Sequence, residues 1–379
     1  MRHAPARRLT KLTAVFLIAC SVHIGRANAQ TQWTREHAQA WAQTTGWLVG
    51  SNFAPSTAIN QLEMWQAATF DPQTIDRELG WAESLGFNTM RVFLHDLLWQ
   101  QDSSGFLGRM DQFLTIASRH HIRPMFVLFD AVWDPLPHLG AQRAPIPHLH
   151  NSGWVQSPGA AVLSDTARID RLRGYVQGVV GRFARDPRIV AWDVFNEPDN
   201  TNRPAYIAYE PLNKPALTLS LMRKAFAWAR AMNPSQPLTA APWLGDYVEP
   251  ARMRPATRFM LDNSDVITFH SYDDSARVET LITALERYGR PIICSEYMAR
   301  PRGSTFQKIL PIFARRHVGA INWGFVSGKT QTIYPWDSWN DEYTSEPKVW
   351  FHDIFRVDGS PFDSTETRVI RRLTGVSRN

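Results

Sequence analysis

Short apolar runs rich in β-branched residues recur along the chain, and most are followed by a stretch with helical spacing. The runs Leu48–Asn52, Thr89–Leu94, Met125–Phe129, Val190–Asn196, Leu238–Ala241, Val266–Ser271, Ile292–Ser295 and Ala320–Trp323 read as strands. They are too short and too evenly apolar for surface helices, which is how the inner strands of a parallel sheet look. Apolar positions at helical intervals predict helices near Leu107–His120, Ala167–Arg185, Ala216–Met232, Val278–Tyr288 and Thr305–Arg316. Another opens at Asp71-Pro72, an N-cap followed by proline at the first helical position, and runs to Ser84 before Gly86. A short helix over Thr34–Thr45 ends at Gly46. Eight strands alternating with helices predict an α/β fold, a single-domain (β/α)8 TIM barrel.

In that fold the working residues sit at the C-terminal ends of the strands. Two glutamates fall there: Glu197 in Ile189-Val-Ala-Trp-Asp-Val-Phe-Asn-Glu-Pro198 and Glu296 in Pro291-Ile-Ile-Cys-Ser-Glu-Tyr297. A carboxylate at the end of an apolar strand is costly to bury unless it is paired or chemically used. Two at the ends of separate strands are what cleavage of a glycosidic bond needs, one proton donor and one carboxylate partner. The plainer reading pairs each with a nearby arginine. The longest predicted loop, about Asp130 to Asp165, leaves the same face and carries Trp133 and Trp154, so it is expected to shape one side of a cleft.

Composition changes the picture at one end of the chain. The 379 residues are 44% hydrophobic, with 15 Trp and 20 Phe, enough for a large core. Residues 1–29 look like an export signal: Arg2, Arg7, Arg8 and Lys11 precede or flank an apolar run, and Ala27-Asn28-Ala29 is a small-x-small cleavage site. Leu17-Ile18-Ala19-Cys20 also resembles a lipobox, so a lipid anchor at Cys20 stands as the alternative to a free periplasmic or extracellular protein. The segment is too short to span a membrane. Five of the basic residues and no acidic one lie in it, so the formal charge of +6 falls to +1 over residues 30–379, the expected catalytic domain. No case for nucleic-acid binding remains. Of the two cysteines, only Cys294 would stay, without a disulfide partner. It is expected to point into the barrel below Glu296 as a buried structural thiol.

Asn196-Glu197-Pro198 after the fourth strand, Glu296 after the seventh and Trp323 ending the eighth resemble the clan A retaining glycoside hydrolases. Family 5, the cellulase and mannanase group, is the nearest likeness and covers nearly all of the chain after the leader. The resemblance implies a β-glycosidase that hydrolyses an oligo- or polysaccharide, with Glu197 as acid/base, Glu296 as nucleophile and no metal or organic cofactor. It implies that Arg91 holds Glu296 ionised, against a structural pairing with Asp193. His270 and Tyr272, two apart and so on one side of their strand, would contact the substrate and the nucleophile. Asn196 would bond the sugar 2-hydroxyl and Trp323 would stack on a sugar ring. Trp99, Trp133, Trp243, Trp336 and Trp339 are candidates for further subsites. The resemblance also implies a non-proline cis peptide after Trp323. One departure is evident: the histidine usual near the end of the third strand is missing, and Asp130, Trp133 or Asp134 stands in its place.

Two other classes compete. A metal-dependent barrel hydrolase wants His-x-His at the end of the first strand, but that strand ends in Gly50-Ser51-Asn52, and His148-Leu-His150 lies in the long loop instead. A secreted carbohydrate-binding protein on an inactive barrel would be favoured by loss of either glutamate, and both are present.

Overall fold

The computed structural model describes residues 1, 31–201 and 205–376. The expected leader, with Cys20, lies outside the described residues apart from Met1. Eight strands follow in order: β1 (Val49–Phe53), β2 (Thr89–Phe93), β3 (Met125–Val127), β4 (Ala191–Asn196), β5 (Leu238–Ala241), β6 (Ile267–His270), β7 (Ile292–Glu296) and β8 (Gly319–Asn322). They form one sheet in the order β5-β4-β3-β2-β1-β8-β7-β6, and every paired ladder is parallel. The remaining gap, between β5 and β6, is drawn together by Asp265 N–H donating to Leu238 O at 2.7 Å and by a hydroxyl pair, Thr239 and Thr268, at 2.8 Å. The result is a nearly closed (β/α)8 barrel.

The helices are α1 (Arg35–Thr45), α2 (Gln61–Trp65), α3 (Pro72–Ser84), α4 (Asp96–Arg119), α5 (Ala160–Leu163), α6 (Thr166–Ile169), α7 (Leu172–Arg182), α8 (Lys214–Arg230), α9 (Pro255–Asn263), α10 (Ser275–Glu286), α11 (Phe306–Arg316) and α12 (Ser364–Thr374). Local chemistry sets their ends. Asp71 accepts from Thr74 N–H at 3.0 Å ahead of Pro72, as the sequence predicts. Gly46 stops α1 at φ 76°, a backbone angle that a side chain disfavours. Among the described residues no helix is long and apolar enough to cross a membrane.

Three sequence expectations shift. The helix expected over Ala167–Arg185 is two, α6 and α7, because the chain turns at Asp170 and Arg171. The helix expected from Leu107 starts at Asp96, with a kink at Asp102 (φ −161°) that interrupts the apolar period. Helix α12 was not anticipated; it packs along α11 and is tied by a buried pair, Arg300 to Glu366 at 2.7 Å.

Two apolar layers and one polar layer fill the barrel region. Outward strand residues such as Val92, Phe126, Trp192 and Phe269 pack with the helices in the main core. Inside, Leu48, Met125, Val190, Val266, Ile293 and Ile321 plug the lower end, with Trp41 of α1 against them. Each such aliphatic side chain contributes about 1.5–3 kcal/mol on burial. Above this plug the interior turns polar, with Arg91 and Asp193 wholly buried. That change of chemistry marks the floor of the site.

Candidate active site

Both glutamates owe their aim to irregularities in their own strands. Between Asp193 and Asn196, β4 has one more residue than its partner β5, so Val194 and Phe195 both face the helices and Asn196 turns inward. Likewise β7 has an extra residue between Cys294 and Glu296 relative to β6. This corrects the expected placing of Cys294, which packs in the outer core with Ile292 rather than under Glu296. Glu197 itself adopts φ 47°, unusual for a residue with a side chain, and turns the chain out of the barrel.

The two carboxyl groups meet over His270. Each of Glu197, His270 and Glu296 brings a side-chain oxygen or ring nitrogen within 4.8 Å of the other two. His270 Nδ1 lies 2.6 Å from Glu197 Oε1 and 3.4 Å from Glu296 Oε2. Asn200 Nδ2 donates to Glu197 Oε2 at 2.8 Å. Glu296 receives a stronger set: Arg91 Nη1 donates to Oε1 and the Tyr272 hydroxyl to Oε2, both at 2.7 Å. Arg91 also forks onto Asp193 Oδ2 (3.0 and 2.8 Å) and donates to Asn52 and Asn196. Arg91 thus meets both carboxylates that the sequence offered it, and Asp193 and Glu296 share its charge. An arginine so buried stays only because its donors are met.

These surroundings set the order of acidity. Burial pushes Glu197 up to about 8, opposed by the Asn200 hydrogen bond and reinforced by the charges of Asp199 and Asp130. Burial pushes Glu296 up to about 7; His270, Arg91 and the Tyr272 hydroxyl hold it down and Glu197 opposes them. Burial lowers His270 to about 4, so its ring is neutral near pH 7. Both carboxyls are pushed up by burial, and Glu296 has the more donors to its oxygens, from Arg91 and Tyr272. A proton donor beside a carboxylate within a sugar's width is the equipment for double displacement at an acetal carbon.

The cleft above them has a volume of about 620 Å³. Asn196, Glu197, Tyr272, Glu296, Trp323 and Trp133 line it, as do Trp243, Trp336 and Trp339. Arg91, His270 and Asp130, expected to touch substrate, do not line it. Each is packed beneath a residue that does. Asp130 accepts from Asn196 Nδ2 at 2.9 Å and from Trp154 Nε1 at 2.7 Å, so it holds the cleft floor instead of replacing a sugar-binding histidine. Trp99 lies against Gly178 in the helix layer, away from the cleft. Nor is there a cis peptide at Trp323; the turn after β8 is made by Gly324 at φ 81° with an ordinary trans bond.

Sequence reasoning offered Trp336 and Trp339 for the cleft but gave no structure to the rest of the segment from 324 to 363, which forms much of the cleft wall. Its only signal was three Trp, at 336, 339 and 350, without helical or strand spacing. His148 and His150 are explained by it. His148 Nδ1 meets the Tyr334 hydroxyl at 2.6 Å and His150 Nδ1 meets Tyr334 O at 2.7 Å, so they join two loops. Asn200 was also missed, being three residues past Glu197 in a loop. The trio Glu197, His270 and Glu296 converges as metal ligands would. Arg91, at 2.7 Å from Glu296, already supplies the positive charge that a cation would bring.

No family model matches the chain, and no curated protein matches it. Solved structures do. The chain is similar to an exo-beta-1,4-mannosidase from an Opitutaceae bacterium, strain TAV5, at TM-score 0.59 and 19% identity, over 87% of this chain but 60% of that one. It is similar to GH5_18 from Streptomyces cattleya, solved with Manb1-4GlcNAc, at TM-score 0.57 and 13% identity, over 87% and 80% of the two chains. It is also similar to a beta-1,4-D-mannanase from Cryptopygus antarcticus, at TM-score 0.56 and 12% identity, over 88% and 91%. At such identities the likeness is one of fold, the (β/α)8 barrel.

Proposed function

We propose that this chain is a retaining β-glycoside hydrolase acting on a β-linked oligo- or polysaccharide. The observation that carries the reading is the meeting of two buried glutamates with unequal partners, one beside a neutral His270 and the other on Arg91 and Tyr272. Glu296 attacks the anomeric carbon while Glu197 gives its proton to the departing oxygen, so a glycosyl ester forms and the aglycone leaves as an alcohol. With Glu296 esterified its charge is gone, and Glu197, now ionised, takes a proton from water as that water opens the ester. Asn196 spends one amide N–H on Asp130, leaving the other for the sugar 2-hydroxyl. Trp323, at the cleft floor, offers its face to the sugar ring.

β-Mannosides are the first substrates to try, because the similar structures are described as mannanase and mannosidase. The basic and apolar residues 1–29 support export of the mature protein. The test is proton NMR of the first product from aryl β-glycosides, with the Glu197→Gln variant alongside. The expected result is a β-anomer first, and a variant that binds sugar but turns over unactivated substrate far more slowly. An inverted first product overturns retention, and no hydrolysis across a panel of β-glycans and aryl β-glycosides leaves a sugar-binding protein.

A further inference from the structure

The strands do not contribute equally to the cleft. Its lining comes from the ends of β4 and β7, from the residue just past β8 and from the segments after β3 to β8, with nothing from β1 or β2. Over those two strands the floor is sealed by Phe93, Trp154 and Trp323, packed edge to face with ring centres 5.2–5.7 Å apart. Above the seal the loop after β3 is stitched to the loop after β8. Asn151 N–H donates to Thr330 O at 2.9 Å, Gln331 Nε2 to Ile146 O at 2.6 Å and Trp339 Nε1 to His150 O at 2.9 Å. Trp133 stacks on Trp339 with centres 5.4 Å apart, and Tyr206 meets the same ring at 5.7 Å. At the other end of the same turn Trp336 packs on Tyr272 and Trp243. Among the described residues the wall therefore runs unbroken from Trp243 past β8, β1 and β2 to Tyr206.

Two side chains in this wall have polar atoms without partners. Asn151 is 1% exposed and lines the cleft, yet neither its Oδ1 nor its Nδ2 has a hydrogen-bond partner. His352 is buried and lines the cleft; its Nδ1 bonds Met298 O while Nε2 is unmet. Its ring centre is 5.3 Å from that of Tyr272, the residue bonded to Glu296. Buried polar atoms that face a cleft and lack partners cost stability unless a ligand satisfies them. Hydroxyl groups, which both donate and accept, suit an amide and a bare imidazole nitrogen alike.

We propose that the cleft is blind at its glycone end, and that Asn151 and His352 there bind the hydroxyls of a terminal sugar, so that the enzyme trims β-linked chains from the non-reducing end. The inference rests on the hydrolase reading above. The aglycone lies on the opposite side, beyond Glu197, where among the described residues Asn200, Thr201 and Trp243 line the cleft.

The experiment compares β-linked oligosaccharides, β-mannosides first, with the same molecules capped by a bulky group at the non-reducing terminal sugar. Product sizes and polymer viscosity are read together. Free chains should release one small sugar of constant size, with viscosity nearly unchanged. The cap should slow cleavage by roughly a hundredfold or more, as for groups that a pocket cannot admit. Asn151→Ala should lower kcat/KM on free chains by about tenfold or more, and Asn151→Asp, which keeps a side chain suited to φ 49°, should lower it as well while the fold is kept. Equal cleavage of capped chains, an early fall in viscosity or an Asn151→Ala enzyme of unchanged kcat/KM overturns the proposal and leaves the hydrolase standing. Absence of hydrolysis on every substrate removes the hydrolase reading and this one with it.

Discussion

His270 Nδ1 sits 2.6 Å from Glu197 Oε1, and burial keeps that ring neutral near pH 7. Glu197 thus has a close neighbour that adds no charge to pull its proton away. Burial pushes this carboxyl up to about 8, and the nearby charges of Asp199 and Asp130 add to the shift.

A bell-shaped pH dependence of kcat/KM follows. Activity should rise as Glu296, pushed up to about 7, loses its proton, and fall as Glu197, at about 8, loses its own. The limbs belong to the pair, since the two charges interact. On a substrate with an activated leaving group, Glu197→Gln should remove the alkaline limb from the glycosylation step. A profile that keeps both limbs in that variant would assign the alkaline one elsewhere.

Asn200 tunes that limb. Its amide donates to Glu197 Oε2 at 2.8 Å and so favours the ionised form. Asn200→Ala should move the alkaline limb to higher pH, by up to about one unit for a lost hydrogen bond. Movement in the other direction would show that Asn200 acts on a different group.

Tyr272→Phe isolates the support given to Glu296, the proposed nucleophile. The ring keeps its packing on Trp336 and Trp243, and only the 2.7 Å bond to Glu296 is lost. We expect kcat to fall about 10- to 100-fold, the worth of a hydrogen bond to a charged group, with KM little changed. Unchanged kcat in steady-state assays would reduce Tyr272 to packing.

Stability should respond at the same residues. A carboxyl whose folded pKa is raised binds more protons folded than unfolded, so it costs stability as pH climbs from about 4 toward its folded value. For Glu197 that window ends near 8. Glu197→Gln should therefore melt higher than wild type, by about 2 °C or more, with a gain that grows across the window and then levels. Arg91→Met should do the reverse, costing about 3–5 kcal/mol by stranding Asp193 and Glu296. Calorimetry across pH checks both; a wild type that melts higher than Glu197→Gln at pH 8 would contradict the first.

The strands and most helices were legible because burial on both faces leaves a mark on composition, and because Asp71-Pro72 and Gly46 punctuate the helices. Glu197, Glu296, Arg91, His270 and Tyr272 were legible as polar residues on apolar strands. Alternation misled at Cys294, where an extra residue shifts the phase. It was silent on the 324–363 segment, whose hydrogen bonds reach as far as Glu63, 266 positions from Lys329, and carry no period. Asp130 shows the limit of assigning roles from neighbours in sequence: its place beneath Asn196 depends on Trp154, which arrives from a distant part of the same loop.

The extra residues in β4 and β7 mean that the two glutamate side chains are held out of step with the sheet that carries them. Deleting Phe195, or Ser295, would restore regular alternation with the next residue still facing inward, but would draw the glutamate about 3 Å down its strand toward the barrel floor, away from its partner. A one-letter loss there would silence the protein while leaving its composition, and nearly all of its folding information, intact.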